Sequence, residues 1–172
     1  FKKKLQDYTF KHADLLHAWG KLIATHMKNS GTDMNKVMVL PKGINLEQFV
    51  FENNDSSTKI NAVVTRTLEP EYCHDVILKA FQLINEFEID FTLTIIGDGS
   101  LMNYLKKLSE EYNIANKIIF TGRLDSQKVS QILQKSNFYI SMPVTEGVSA
   151  SLFEAMAAGC FPVVTDLPGN RN

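Results

Sequence analysis

The chain has 172 residues, of which 44% are hydrophobic and 22% charged, a composition typical of one globular domain, alone or with a fragment of another. A formal net charge of −1 gives no global attraction to nucleic acid or to an anionic membrane, and no apolar run approaches the roughly 20 residues of a membrane-spanning helix. Cys73 and Cys160 fit neither a CxxC nor a zinc-ligand pattern, so we expect two reduced thiols in a cytosolic protein.

The first forty residues differ from the rest of the chain. Polar segments at residues 28–33 and 41–43 interrupt them, and only residues 37–40 predict a strand. A further polar loop at residues 53–57 leads into the next predicted strand. We therefore expect residues 1–40 to be the tail of a preceding domain and residues 41–172 to form a second domain, incomplete at its C-terminal end, in a piece cut from a longer protein.

From residue 60 onward, short apolar runs alternate with amphipathic segments. The runs are rich in β-branched and aromatic residues, which is typical of strands buried on both faces of a parallel sheet. They cover residues 60–66, 91–96, 117–121, 138–142 and 161–165. The amphipathic segments predict helices at residues 75–86, 101–112, 126–134 and 150–158, the last of which ends at Gly159. Four repeats of strand and helix predict an α/β domain with a doubly wound parallel sheet.

Ligands of doubly wound sheets bind beyond the carboxyl ends of the strands. The loop Gly97-Asp98-Gly99 begins like a dinucleotide-binding fingerprint, but Met102 occupies the third glycine position. This loop therefore predicts a tight strand-to-helix turn and no nicotinamide site. The chain contains no P-loop, and we identify no metal-binding cluster.

Two glutamates flank the start of the last predicted helix. If this helix begins near Ser149, its free N–H groups, Gly147 and the hydroxyls of Ser149 and Ser151 suit a phosphate. Glu154 would lie roughly 7 Å further along the helix axis. A diphosphate at the helix start would then place a ribose near Glu154 and a sugar near Glu146, and carboxylates accept hydroxyl hydrogen bonds well. The alternative is that both glutamates are solvated surface charges.

The segment EGVSASLFEAMAAGCFPVV resembles the donor-site motif E-G-x-x-x-x-x-x-E-A-M-A-x-G-x-P-V-V of the retaining group 1 glycosyltransferases. Further segments resemble the pattern of the same family and occur in the same order, namely PKGINLEQF, LTIIGDGSLMNYLKKL, KIIFTGRL and SNFYISMPVTEG. The resemblance covers roughly residue 33 to the end of the chain. It implies a Rossmann-like domain, the C-terminal half of a GT-B glycosyltransferase. Residues 1–40 would then be the tail of the N-terminal acceptor domain and the interdomain region.

The resemblance also implies a role for each residue around the donor. Glu146, the catalytic candidate, would contact the donor sugar, and Glu154 would bind the ribose hydroxyls. The remaining contacts would involve the backbone, with Gly147, Val148 and Ser149 at the sugar, Ala150 and Ser151 at the diphosphate, Arg123 and Leu124 at the nucleobase, and Gly97 in the same cleft.

One segment departs from the family pattern. Most members carry an arginine and a lysine in G-R-L-x-P-x-K-G, and both neutralise the diphosphate, whereas this chain has TRTLEPEYCHD. Aligned on Pro70, Tyr72 replaces the lysine, and Arg66 is shifted by one residue from the arginine. Tyr72 can donate a hydrogen bond but supplies no charge. Arg66 and Tyr72 are included as donor-binding candidates, and whether they replace the clamp stays open. His74 is predicted to be a surface residue.

The implied function is transfer of a sugar from a UDP- or GDP-linked donor to a glycan, lipid or polysaccharide acceptor, with no metal or other cofactor. The implied partners are the nucleotide sugar and the N-terminal domain of the same parent protein. The implied location of that parent is the cytoplasm, with peripheral association at the inner face of a membrane compatible with this interpretation. Because the acceptor site belongs to that domain, we expect the fragment alone to bind nucleotide but not to transfer sugar. A sugar-nucleotide epimerase of the same fold and a non-catalytic nucleotide- or carbohydrate-binding module are the alternatives. A phosphorylase would need a pyridoxal phosphate lysine, which we do not locate.

Overall fold

The computed structural model describes residues 2–51, 59–147 and 149–171, and the chain divides into two compact units. The smaller unit comprises residues 1–43, 146–150 and 166–172, and the larger unit comprises residues 44–145 and 151–165. The polar loop predicted at residues 53–57 lies outside the described residues. Within the described ranges, no helix combines the length and apolar content that a bilayer crossing requires.

The smaller unit contains two helices and a two-stranded parallel sheet. Its elements are α1 (Lys2–His12), β1 (Leu16–Ala18), α2 (Lys21–Asn29) and β2 (Val37–Val39). Leu16 lies opposite Val37 in the sheet, and Ala18 and Ala24 are buried. The strand predicted at residues 37–40 is confirmed. The sequence pattern predicts neither helix, and α1 buries none of its residues, so it has no apolar stripe to detect.

The larger unit is built on a five-stranded parallel sheet with strand order β5-β4-β3-β6-β7. Its strands are β3 (Ile60–Thr65), β4 (Phe91–Ile96), β5 (Ile118–Gly122), β6 (Phe138–Ser141) and β7 (Phe161–Val164). The helices are α3 (His74–Glu86), α4 (Met102–Glu111), α5 (Ser126–Gln134) and α6 (Ala150–Ala157), whose first residue is assigned to the smaller unit. Each predicted strand and helix of this unit is therefore confirmed, with ends that differ by at most one residue.

Alternation along the strands explains why both faces of the sheet are covered. Successive side chains of a strand point to opposite faces. In β3, Ala62 and Val64 belong to one apolar cluster, and Val63 belongs to the other. The first cluster packs residues of α3 and α4, including Phe81, whose ring centroid lies 4.9 Å from that of Phe91. The second cluster packs residues of α5 and α6. The predicted doubly wound sheet is thus confirmed.

Candidate functional site

A cavity of about 350 Å³ opens in the larger unit at the carboxyl ends of β3, β4 and β5. From β3 the chain continues to β4 and then β5 on one side of the sheet. It then crosses back to form β6 and β7 on the other side of β3. Such a reversal is a topological switch point, where open α/β sheets bind their ligands. Six residues predicted as donor-binding line this cavity: Arg66, Gly97, Arg123, Leu124, Ser151 and Glu154.

Two glycines allow the loop after β4 to approach the loop after β3. A Cβ atom added at Gly97, which has a φ of +146°, would clash with the backbone carbonyl of Arg66. A Cβ atom at Gly99 would clash with the carbonyl of Leu68. The loop is a strand-to-helix turn, as predicted, and its glycines are explained by contact between two protein loops.

Hydrogen bonds fasten these two loops together. The N–H of Leu68 donates to the carbonyl of Asp98 (3.1 Å), and the N–H of Leu101 donates to the carbonyl of Leu68 (2.9 Å). The Glu69 carboxylate accepts the N–H of Ser100 (2.9 Å) and its hydroxyl (2.6 Å). These two bonds from Ser100 lower the pKa of Glu69. The segment between Arg66 and Tyr72 is therefore held in place beside the cavity.

Arg66 lies on the cavity wall, immediately after the end of β3. Its Nε–H donates to the hydroxyl of Ser141 (3.2 Å), at the end of β6. The guanidinium carbon lies 5.6 Å from the centroid of the Tyr72 ring, within cation–π range. Arg66 thus borders the cavity despite its shift in the sequence, whereas Tyr72 packs against the guanidinium and is not among the cavity-lining residues.

The prediction that His74 is a surface residue is wrong, because its exposed fraction is 0%. His74 begins α3, and its ring makes an edge-on contact with Tyr72 at 6.4 Å between centroids. Among the described residues, neither ring nitrogen has a hydrogen-bond partner. Burial lowers the pKa of His74 to about 4, against the opposing effect of Asp75 and with a further lowering by Arg66. A buried neutral ring therefore supports Tyr72.

Helix α6 contributes two of the predicted residues to the cavity. Ser151 and Glu154 are three positions apart, so they share one face of the helix, and both line the cavity. Glu154 is partly buried. This position does not match the alternative of a fully solvated surface charge for Glu154.

The structure does not place all predicted residues on the cavity wall. Glu146, Gly147, Ser149 and Ala150 belong to the smaller unit and are not among the cavity-lining residues. In that unit, a Cβ atom at Gly169 would clash with the carbonyl of Gly147, so these two chain segments are in close contact. Val148 lies outside the described residues.

Sequence reasoning missed Ser141, which is 2% exposed and contacts Arg66. The available signal was a hydroxyl residue inside the apolar run of the fourth predicted strand of this domain, close to its carboxyl end. Sequence reasoning also missed five cavity-lining residues: Thr65, Thr67, Ile96, Asp98 and Val129. Across residues 2–51, 59–147 and 149–171, no group of three or more His, Cys, Asp or Glu side chains is arranged to hold a metal ion.

Comparisons with known proteins identify the family of the chain. The family model described as "Glycosyl transferases group 1" matches residues 46–172. An uncharacterized glycosyltransferase of Methanocaldococcus jannaschii is 25% identical, with 92% of this chain and 42% of that protein covered. The UDP-Gal:alpha-D-GlcNAc-diphosphoundecaprenol alpha-1,3-galactosyltransferase of Escherichia coli is 26% identical, with 84% of this chain and 40% of that protein covered. The chain thus spans about 40% of the length of these curated relatives.

A solved structure shows the same fold. The crystal structure of Anabaena HepE in complex with UDP and glucose matches with a TM-score of 0.82 at 15% identity, covering 98% of this chain and 49% of that one. At 15% identity, the match shows that the two chains share a fold.

Proposed function

The chain belongs to the group 1 glycosyltransferase family, and we propose that it supplies the donor half of a reaction that transfers a sugar from a nucleotide-diphosphosugar. The observation that carries this proposal is the cavity at the switch point, which combines Arg66 and Arg123 with Ser151 and Glu154. The Arg66 guanidinium suits a diphosphate, and the partly buried Glu154 carboxylate suits the two hydroxyls of a ribose.

We propose UDP as the nucleotide of the donor. The name of one relative specifies UDP-Gal, and the matching HepE structure contains UDP. In the proposed pose, Glu154 accepts the ribose hydroxyls, and Arg123 and Leu124 lie beside the nucleobase. The diphosphate meets Arg66 and the first turn of α6, where helix N–H groups carry partial positive charge.

Departure of the diphosphate is the step that these residues would assist. Negative charge grows on the leaving oxygen as the bond to the sugar breaks, and fixed cations and N–H donors stabilise that charge without reorganisation. Retention of anomeric configuration is part of the proposal and follows the sequence motif. The motif likewise supports Glu146 as the residue at the donor sugar, together with Gly147, Val148, Ser149 and Ala150.

The acceptor site is proposed to belong to another part of the parent protein. One relative is named for a diphosphoundecaprenol-linked acceptor, which supports a parent that works in the cytoplasm at the inner face of a membrane, in polysaccharide biosynthesis. The proposed acceptor is a glycan, a lipid or a polysaccharide.

The test is titration of the chain with UDP, GDP and ADP by calorimetry. We expect UDP to bind most tightly and Glu154→Ala to weaken it at least about tenfold, since hydrogen bonds to a charged group are worth about 1.5–3 kcal/mol. Glu110→Ala, which removes an exposed carboxylate from α4, is the matched control and should bind UDP like the wild type. If no nucleotide binds, a non-catalytic carbohydrate-binding module becomes the better description.

A further inference from the structure

We propose that Ser141 is a positioning residue, which together with the ring of Tyr72 holds the Arg66 guanidinium in the orientation that meets the donor diphosphate. This inference rests on the proposed function of the cavity as the donor site. Because the neutral Tyr72 stands where the family motif carries lysine, the orientation of Arg66 matters more for binding the diphosphate.

The backbone alone does not orient the Arg66 side chain. Arg66 follows the last residue of β3, so the alternation of the strand no longer determines where its side chain points. An arginine side chain carries about 2 kcal/mol of rotamer entropy, so an unsupported guanidinium samples many positions. Side-chain contacts must therefore select the position on the cavity wall, and the contacts with Ser141 and Tyr72 are suited to that task.

Ser141 is itself held rigidly. It ends β6, the strand that pairs with β3 on the other side of the switch point. Its backbone carbonyl accepts the N–H of Thr165 (3.1 Å), and it lies opposite Val164 in the sheet. Its hydroxyl is buried and accepts the Nε–H of Arg66, which is one of the five donors of the guanidinium. The hydroxyl is therefore a fixed acceptor from the neighbouring strand.

Tyr72 supplies the second contact, and the surrounding loops hold it in place. The N–H of Val144 donates to the carbonyl of Glu71 (2.9 Å), which ties the segment after β6 to the turn that carries Tyr72. On its other side the Tyr72 ring meets the buried ring of His74. The aromatic face is thus fixed beneath the guanidinium, where its negative quadrupole attracts the cation.

A positioning role predicts an effect confined to ligands that carry phosphate. We would measure the affinity of the chain for UDP and for uridine, which lacks the diphosphate. Ser141→Ala should reduce UDP affinity about fivefold, the equivalent of one ordinary hydrogen bond, and leave uridine affinity unchanged. Ser109→Ala, which removes another buried serine hydroxyl from α4, should change neither affinity.

The Tyr72 contact is tested with two variants. Tyr72→Phe keeps the ring and should retain the UDP affinity of the wild type, whereas Tyr72→Leu removes the ring and should reduce it severalfold without affecting uridine. A Tyr72→Phe variant as weak as Tyr72→Leu would show that the phenolic hydroxyl binds the donor directly, and would overturn the ring's positioning role.

The possible failures are distinguishable. A wild-type chain that binds no UDP overturns the proposed function and this inference with it. If the wild type binds UDP and Arg66→Ala weakens that binding, but Ser141→Ala does not, the donor site stands and the positioning role of Ser141 is wrong. Equal losses of UDP and uridine affinity in Ser141→Ala would show a general structural role and would also overturn it.

Discussion

Polar side chains near the cavity differ in how deeply they are buried. Glu154 is partly buried and borders the cavity, whereas His74 is wholly buried beside Tyr72 and does not border it. His74 cannot accept a proton without placing a charge in an apolar environment close to Arg66. A neutral His74 therefore places no second positive charge beside the Arg66 guanidinium.

The buried histidine predicts a specific loss of stability in acid. Its pKa falls from an ordinary value of 6.5 to about 4 in the folded chain, so the unfolded chain binds more protons between these values. The free energy of unfolding is therefore unaffected by His74 protonation above about pH 6.5. It decreases by about 2–3 kcal/mol as the pH falls towards 4. We expect His74→Leu to remove this part of the pH dependence in urea unfolding experiments.

Measurements at pH 8 provide the control for this prediction. His74 is neutral in both states there, and neither ring nitrogen has a hydrogen-bond partner among the described residues, so His74→Leu should unfold close to the wild type. Parallel pH profiles for the wild type and His74→Leu between pH 4 and 7 would contradict the prediction.

Two strand-to-helix loops form one structural element at the cavity. The loop after β3 carries Arg66, and the loop after β4 reaches it only because Gly97 and Gly99 have no side chain. Glu69 and Ser100 then join the two loops by paired hydrogen bonds. The shape of the cavity thus depends on close backbone approach as much as on the residues that line it.

We expect Gly97→Ala to destabilise the chain by about 1–3 kcal/mol, because an added Cβ atom meets the carbonyl of Arg66 at a positive φ. Gly43→Ala is the matched control, since a Cβ atom at Gly43 has no neighbour within 4 Å, and it should change stability by less than about 0.5 kcal/mol. Urea unfolding measures both variants. Equal stabilities for the two would show that the loops can separate at little cost.

The whole chain consists of two units and spans about 40% of the length of its curated relatives. Its larger unit contains the cavity that we propose as the donor site, and the chain belongs to the group 1 glycosyltransferase family. On the proposal that the acceptor binds elsewhere in the parent, the chain can hold a donor without a second substrate in place.

We therefore expect the 172-residue chain to bind UDP but to release no UDP from UDP-sugars in the presence of glycan or lipid acceptors, because transfer needs both substrates aligned. A coupled assay for released UDP measures this turnover, and a longer form that carries the proposed acceptor domain is the positive control. Turnover by the chain alone would contradict the prediction.

Local patterns in the sequence determined the order of strands and helices in the larger unit. Apolar runs and amphipathic spacing depend on neighbouring residues, so β3 to β7 and α3 to α6 could be predicted together with the doubly wound fold. The donor-site motif likewise identified Ser151 and Glu154 as candidates, and the structure places both on the cavity wall. The smaller unit was predicted poorly, because its two strands have three residues each and α1 buries none of its residues.

Only the tertiary structure decided which side chains surround Arg66. Ser141 is 75 residues away in the chain, and the two meet because β3 and β6 are adjacent in the sheet. His74 is buried because α3 packs its first residue inside, although a histidine beside an aspartate is typical of a surface. Sequence periodicity indicates which face of an element is apolar. Contacts between distant segments depend instead on how the elements pack, and such contacts place Arg66 at the cavity.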